Sequence, residues 1–203
     1  KEVNLDVSLR AAALLRAEGV QVALTRSDDT CASLGWRVRF AASRGARLLV
    51  SIHHNADPDG PREGPGSETY HQYRSADSKR LAGLAYEEAV AALVPFGVAW
   101  VGDTDAGAKW RRNDAGTDYY GILRMAASHG LVATLLELAF VSNAPEEALL
   151  RREDVRAAEA GAVARAVLRY LRTPDPGSGF TTPYPRPSSG GPSRPSACVD
   201  PSG

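Results

Sequence analysis

Net charge is the first thing this chain does without. Its 203 residues carry 24 basic and 24 acidic side chains. No basic run stands out, which argues against a nucleic-acid partner held by long-range charge. A large uncharged or zwitterionic polymer stays open as a substrate. No apolar stretch approaches the roughly 20 residues that span a bilayer, so no membrane span is expected. Cysteine is nearly absent: Cys31 and Cys198 form neither a metal-ligand spacing nor a disulfide framework. Cys198 lies in a segment expected to be disordered, so no stable bridge to Cys31 is expected and the redox compartment is not legible from the pair. No signal peptide is visible either. Residue 1 is Lys, and the first residues already read as the inside of a helix. The chain is therefore expected to start within its domain, with any export signal lost upstream.

With 43% hydrophobic and 24% charged residues, the chain suits one globular domain with a real core. Leu5, Leu9, Ala12 and Leu15 share one face of an amphipathic helix over residues 3–18, and Gly19 is placed to stop it. Val20 to Thr25 alternates as a short strand. A second helix is expected over about 34–42, ending near Gly45, followed by a strand through Leu48, Leu49, Val50 and Ile52. Residues 57–66 read as loop, Glu68 to Tyr73 as a strand, and about 77–93 as a helix. Residues 95–120, rich in Gly, Asp and aromatics, read as a long surface loop. A further strand spans Leu131 to Val141. Asn143, Pro145 and Glu146 then make a helix start with a capping box, and a last helix covers about 153–171. The order predicts an α/β fold: a mixed, mostly parallel sheet flanked by helices on both faces, in a single domain over 1–172. From Thr173 to residue 203 Pro, Gly and Ser dominate, which predicts a disordered tail or linker.

Chemistry concentrates at two strand ends. Ser51-Ile52-His53-His54-Asn55-Ala56 closes an apolar strand with two imidazoles and an amide, at the sheet edge where open α/β sheets carry their sites. His53 and His54 point to opposite faces, so at most one faces a given site. A neutral imidazole at a strand end is a good zinc ligand. Asn55 shares the His53 face and is placed to hold a substrate carbonyl or orient a ligand. Glu137 interrupts an otherwise apolar strand, where a buried carboxylate needs a partner or a task. It is placed to polarise a metal-bound water and shuttle its proton, as in metal-assisted amide hydrolysis. The plainer alternative is a hydrogen-bonded histidine and a glutamate at a sheet edge.

Ser51-Ile-His53-His-Asn55-Ala and Leu136-Glu137-Leu-Ala-Phe140-Val-Ser142-Asn143 resemble the two downstream signatures of the zinc-dependent N-acetylmuramoyl-L-alanine amidases (amidase type 3). Lys1 to Val7 resembles the start of that family's first helix, and Leu24-Thr25-Arg26 the strand end after it. Leu34 to Ala42, with Arg37, is similar to the segment before the metal strand. Gly66 to Tyr70 and Ser78 to Ala82 fit the next strand and helix, and Gly121-Ile-Leu123-Arg124 fits the strand before the catalytic one. The resemblance covers residues 1–171. It implies a six-stranded α/β fold, zinc as cofactor, His53 as a zinc ligand and Glu137 as the catalytic carboxylate. It also implies cleavage of the amide between N-acetylmuramic acid and L-alanine in peptidoglycan, by an extracytoplasmic monomer with no nucleic-acid partner.

The chain also departs from that pattern. The family's first ligand follows a strand that this sequence lacks, and its second is a Glu that would fall just before residue 1. Glu2 is one position out of register, about 100° round the helix. One protein ligand of three should hold zinc poorly. Two alternatives therefore stay open: a non-catalytic peptidoglycan-binding or regulatory domain on the same fold, and a zinc peptidase. Arg124 is a candidate for binding a substrate carboxylate, with an ion pair to an acidic neighbour as the alternative. Trp100, Trp110, Tyr119 and Tyr120 are candidates for lining a groove or for packing under the long loop. His54 is expected to face solvent or to support a ligand, and His71 and His129 to lie at the surface. The Arg151-Arg152-Glu153-Asp154 run reads as a solvated helix start. The short Gly- and Pro-rich loop after Asn55 predicts a site open to solvent, with no occluding helix.

Overall fold

Two faces of one sheet organise the molecule. A computed structural model describes residues 1–56, 66–97, 106–182 and 198–201. The helices are α1 (Glu2–Ala17), α2 (Leu34–Ser43), α3 (Ala76–Leu93), α4 (Gly121–Ser128), α5 (Ala144–Leu150) and α6 (Glu153–Arg172). The strands are β1 (Leu48–Asn55), β2 (Glu68–His71), β3 (Gly107–Lys109) and β4 (Val132–Phe140), in spatial order β1-β4-β2-β3. β1 runs parallel to β4 and β2 parallel to β3, while β2 and β4 are antiparallel. Alternation along β4 sends Leu136 and Leu138 into a core shared with Val7 of α1, Leu84 of α3 and Val163 of α6. Ala133 and Leu135 meet Val38 of α2 and Ile122 and Leu123 of α4 on the opposite face. The three-layer α/β expectation holds, with a mixed sheet.

Helix ends follow the expected chemistry. Ser33 caps α2 by accepting from the Trp36 N–H at 3.2 Å, and Asn143 caps α5 by accepting from the Glu146 N–H at 3.1 Å. Each such cap contributes about 1 kcal/mol. The Glu146 carboxylate accepts from the Gly66 and Phe140 N–H groups and so ties α5 to the end of β4.

Several expectations are corrected. Among the described residues, 20–25 join no ladder; they line the cavity beside β1 instead. Gly121 to Arg124 opens α4 rather than a strand: Ile122, Leu123 and Ala126 bury one helical face, and Gly130, at φ 69°, ends the turn that follows. The segment 95–120 contains β3, whose Gly107, Ala108 and Lys109 are all buried. The expectation of an open site without an occluding helix, and the Trp100 candidate, lie outside the described residues.

The described part of the C-terminal segment packs on the domain. Arg80 donates to the Asp175 carbonyl at 2.6 Å and to those of Tyr170 and Thr173. The Ala108 N–H donates to the Gly179 carbonyl at 2.8 Å, and Thr181 returns a bond to Ala108 at 3.0 Å. Phe180 lies so close to Gly83 that a Cβ there would meet its ring at 2.7 Å. These contacts cover the β3 edge, a place that would otherwise invite pairing. At the far end Cys31 and Cys198 form a disulfide with Cα atoms 4.9 Å apart, against expectation. Local anchors explain it: Asp200 accepts from the Ser33 N–H and hydroxyl at 2.7 and 2.9 Å, and Trp36 Nε1 donates to the Pro201 carbonyl.

The opposite edge of the sheet is different. Among the described residues β1 pairs with β4 alone, and its other side lines a cavity of about 840 Å³ shared with residues 20–26.

The Cys31–Cys198 bridge closes the longest loop in the chain, with a sequence separation of 167. Its loss should cost about 2–4 kcal/mol. Guanidinium denaturation of wild type with and without reductant, beside Cys31→Ser, should show that drop in both cases. An unchanged midpoint would mean the bridge is not formed in solution.

Candidate active site

Parallel pairing of β1 with β4 sets His53 directly opposite Glu137. Antiparallel pairing of β2 sets Glu68 opposite Glu137 from the other side. Residues opposite one another in a ladder share a face, so one imidazole and two carboxylates stand in a row across three strands. The row lies at the carboxyl ends of β1 and β4, on the face that carries α2 and α4.

His53 is buried. Its Nε2 lies 2.9 Å from the Ser51 hydroxyl, two residues back on the same face. Burial, helped by the charges of Arg37, His54 and Arg26, pushes its pKa down to about 4. The imidazole is therefore neutral at ordinary pH, the form that can bind a metal or accept a proton.

Glu68 is held from several directions. Lys109 Nζ donates to its Oε1 at 2.7 Å, while Asn55 Nδ2 and the Tyr70 hydroxyl donate to its Oε2 at 2.9 and 3.0 Å. Lys109 and Glu68 are 3% and 0% exposed, so this is a buried ion pair with its remaining hydrogen-bond capacity well used. Asn55 stands beside the row, where its amide donates to Glu68. Tyr120 stacks obliquely on Tyr70, with ring centroids 4.5 Å apart. Burial, opposed by a hydrogen bond with Tyr70 and reinforced by the charges of Glu68 and Glu137, raises its pKa to about 12. Its phenol stays protonated beside two carboxylates.

The other sequence candidates fall elsewhere. His54 points to the opposite face, where it is 1% exposed rather than solvated. Its Nδ1 lies 2.7 Å from Asn4 Oδ1 on α1, and its Nε2 3.1 Å from the Glu159 carboxylate on α6. His71 is buried as well, with Nδ1 3.0 Å from the Gln72 carbonyl, and desolvation lowers its pKa. His129 is exposed, as expected. Arg124 Nη1 donates to the carbonyls of Asp118 and Tyr119 at 2.7 and 3.0 Å, so part of its guanidinium braces the start of α4. Trp110 packs on Tyr73 and Tyr119 on Tyr120, the packing alternative for these rings. Glu2 is exposed, with its carboxylate 3.5 Å from the amino terminus. Glu68 and Lys109 were missed. Glu68 opens the polar run Glu68-Thr69-Tyr70-His71, so no apolar context marks it as buried in the way that Leu136 and Leu138 mark Glu137.

A zinc site of the catalytic kind needs three protein ligands and one open position. His53 supplies one suitable donor. Among the described residues no group of three His, Cys, Asp or Glu side chains is placed to hold a metal. The donors described here fit one zinc position and do not complete the set.

A neutral imidazole aligned with two carboxylates at the carboxyl edge of an α/β sheet defines a candidate hydrolytic site. The sequence matches the N-acetylmuramoyl-L-alanine amidase family over residues 1–169, and the chain belongs to that family. It is similar to the N-acetylmuramoyl-L-alanine amidase LytC of Bacillus subtilis, with 35% identity over 175 residues. That match takes in 85% of this chain and 31% of LytC. Among solved structures it is similar to the catalytic domain of CwlV, an N-acetylmuramoyl-L-alanine amidase from Bacillus (Paenibacillus) polymyxa, at 31% identity and a TM-score of 0.69. There it covers 84% of this chain and 83% of the other. The N-acetylmuramoyl-L-alanine amidase of Clostridium difficile 630 shares 27% identity and a TM-score of 0.71, with 85% and 84% covered. Cwp6 from Clostridium difficile shares the fold at a TM-score of 0.73, and this chain spans 25% of it.

The depressed His53 pKa carries a sign. An unfolded chain takes up a proton near pH 6.5 that the folded imidazole refuses until about pH 4. The stabilising contribution is complete above pH 6.5 and is lost as pH falls through that window, by up to about 3 kcal/mol. Urea denaturation in chelator at pH 7 and pH 4.5 should show a smaller loss in His53→Asn than in wild type. Equal losses would place the imidazole in water.

Proposed function

We propose that this chain hydrolyses the amide between N-acetylmuramic acid and L-alanine of the peptidoglycan stem peptide, as a monomer outside the cytoplasm. The observation that carries the reading is the register placing His53 opposite Glu137, in a chain of this family. Glu137 is assigned as general base and then general acid. Its carboxylate takes a proton from the attacking water and returns it to the leaving nitrogen. Glu68 suits that work less well, because Lys109, Asn55 and Tyr70 all donate to its carboxylate and hold it in place. The pair with Lys109 instead offsets the charge that two adjacent carboxylates would build up. Tyr120 keeps its proton and is a hydrogen-bond donor beside the site. Arg124 keeps its assignment to a substrate carboxylate through the donors that do not brace α4.

Zinc is the cofactor this family reading implies, and His53 is the residue assigned to it. Because the described donors do not complete a zinc site, the roles above are confined to protein side chains. A disulfide supports an oxidising compartment, in keeping with action on the cell wall. The second reading is a non-catalytic wall-binding domain on the same fold.

Mass spectrometry of purified peptidoglycan incubated with the chain and zinc separates the two readings. The amidase reading expects stem peptides with free L-alanine amino termini. Glu137→Gln should lower their yield by about 10²–10⁴-fold while leaving wall binding unchanged. Wall binding with no released peptide would establish the binding domain, and cleavage within the stem peptide would establish a peptidase.

A further inference from the structure

A series of ring contacts leads out of the candidate active site to one arginine. The Tyr70 hydroxyl donates to Glu68 at 3.0 Å, Tyr120 packs on Tyr70, and Tyr119 stands edge-on to Tyr120 with ring centroids 5.3 Å apart. The guanidinium of Arg111 lies on the Tyr119 ring, 3.7 Å from its centroid. Its charge reaches back to the Tyr120 phenol, where it opposes the rise in pKa. The chain runs in the same order. Lys109 points at Glu68, and Arg111 follows two residues on, about 7 Å further along an extended backbone.

Arg111 is held in place without being neutralised. Residues 110–120 fold back as a tight hairpin: the Tyr119 N–H donates to the Arg111 carbonyl at 2.8 Å, and the Asn113 N–H to the Thr117 carbonyl at 2.9 Å. Gly116, at φ 74°, makes the turn. The base is fastened by Asp118 Oδ1, which accepts from the Tyr73 N–H at 2.7 Å, and by Arg124, which donates to the carbonyls of Asp118 and Tyr119. A guanidinium stacked on a ring keeps its N–H donors in one plane, ready to take an oxyanion bidentately. Among the described residues the Arg111 guanidinium has no hydrogen bond and no ion pair, with Asp114 and Asp118 of its own hairpin included. The neighbouring cations are engaged elsewhere. Lys109 is paired with Glu68, and Arg112 sits on a separate pair of rings, 4.7 Å from Tyr73 and 5.4 Å from Trp110.

We propose that Arg111 is a specificity-determining residue that binds a carboxylate of the peptidoglycan stem peptide, with the Tyr119 ring holding its fork in place. The inference rests on the peptidoglycan reading above for its substrate class. A stem peptide carries carboxylates, and the row that would cleave it is itself acidic, with Glu137 and Glu68 side by side. A cation beside the row is needed to receive such a substrate, and Lys109 is already committed to Glu68. Arg111 meets that need at low entropic cost, because stacking and the closed hairpin fix its geometry before the ligand arrives. Arg124 bonds the Tyr119 carbonyl, so it and Arg111 belong to one recognition element.

The test titrates the whole chain, carrying Glu137→Gln so that bound peptide stays intact, with two synthetic N-acetylmuramoyl tripeptides of one sequence: L-alanine, γ-linked D-glutamate and L-lysine. One has free carboxylates and the other has carboxamides in their place. Calorimetry should show the carboxamide form binding about tenfold more weakly. Adding Arg111→Gln, checked for folding by circular dichroism, should make both forms bind equally, at the weaker value. Arg111→Lys should recover part of the preference, since it keeps the charge without the fork. Arg112→Gln should keep the full preference. Three outcomes would overturn the proposal: equal binding of the two forms before any arginine is changed, no binding of either, or the same loss in Arg112→Gln as in Arg111→Gln, which marks diffuse charge attraction. Stem-peptide release by the chain with Glu137 intact is scored separately. A preference without release removes the amidase reading and leaves the Arg111 site in a wall-binding domain. Release without a preference removes the Arg111 site and leaves the amidase.

Discussion

The register between β1 and β4 is the constraint on which the rest of the site depends. It aligns His53 with Glu137, and through β2 it brings Glu68 into the same row. Side chains alternate along a strand, so a slip of one residue would turn His53 toward α1 and α6 and bring His54 forward. The apolar pattern resists such a slip. Leu48, Val50 and Ile52 belong to the core under α1 and α6, and Leu49 to the core under α2 and α4. Full burial of such a side chain contributes on the order of 1.5–3 kcal/mol, and these partly buried ones contribute a share of it to keeping their own face. The alignment of His53 with Glu137 is thus a by-product of core burial one to five residues upstream.

Polar burial reinforces the alignment from both faces. His54 is locked between Asn4 and Glu159, which joins β1 to the helices behind it. Glu68 is locked by Lys109, Asn55 and Tyr70 on the face in front. Buried charges are costly unless paired and hydrogen-bonded, and here each has its partners. The consequence for function is a division of labour between neighbouring carboxylates: one neutralised and positioned, the other set beside a neutral imidazole. The same low dielectric that keeps His53 uncharged keeps the Tyr120 phenol protonated.

The two edges of the sheet have different fates. At β3, residues 179–181 lie along the strand, and glycines at 83 and 107 let their backbone come close. At β1, among the described residues, the second side of the strand faces a cavity lined by apolar side chains and by Arg26 and Arg37. The C-terminal segment had been expected to lack any packing role on composition alone. What composition conceals is that a few anchors suffice. Phe180 against Gly83, Asp175 on Arg169 and Asp200 on Ser33 hold the described parts of this Pro- and Gly-rich segment.

Local patterns decided much of this molecule before it folded. The 3.6-residue stripes of α1, α3 and α6, the caps at Ser33 and Asn143, the apolar run of β1 and the lone carboxylate of β4 are all visible in the sequence. Each depends only on residues within one or two turns or strands, and so does the family resemblance they carry. Contacts between distant segments were not visible. Gly121 to Arg124 took its conformation from the face it packs on rather than from its likeness to a strand. Lys109 and Glu68 are 41 residues apart and His54 and Glu159 are 105 apart, and nothing local marks either pair. Cys31 and Cys198 meet only because Asp200 and Pro201 dock on the start of α2. Sequence alone determined which chemical groups stand at the strand ends. Tertiary structure decided which of them are neutral, which are paired and which face one another, because burial and long-range register exist only once the sheet is assembled.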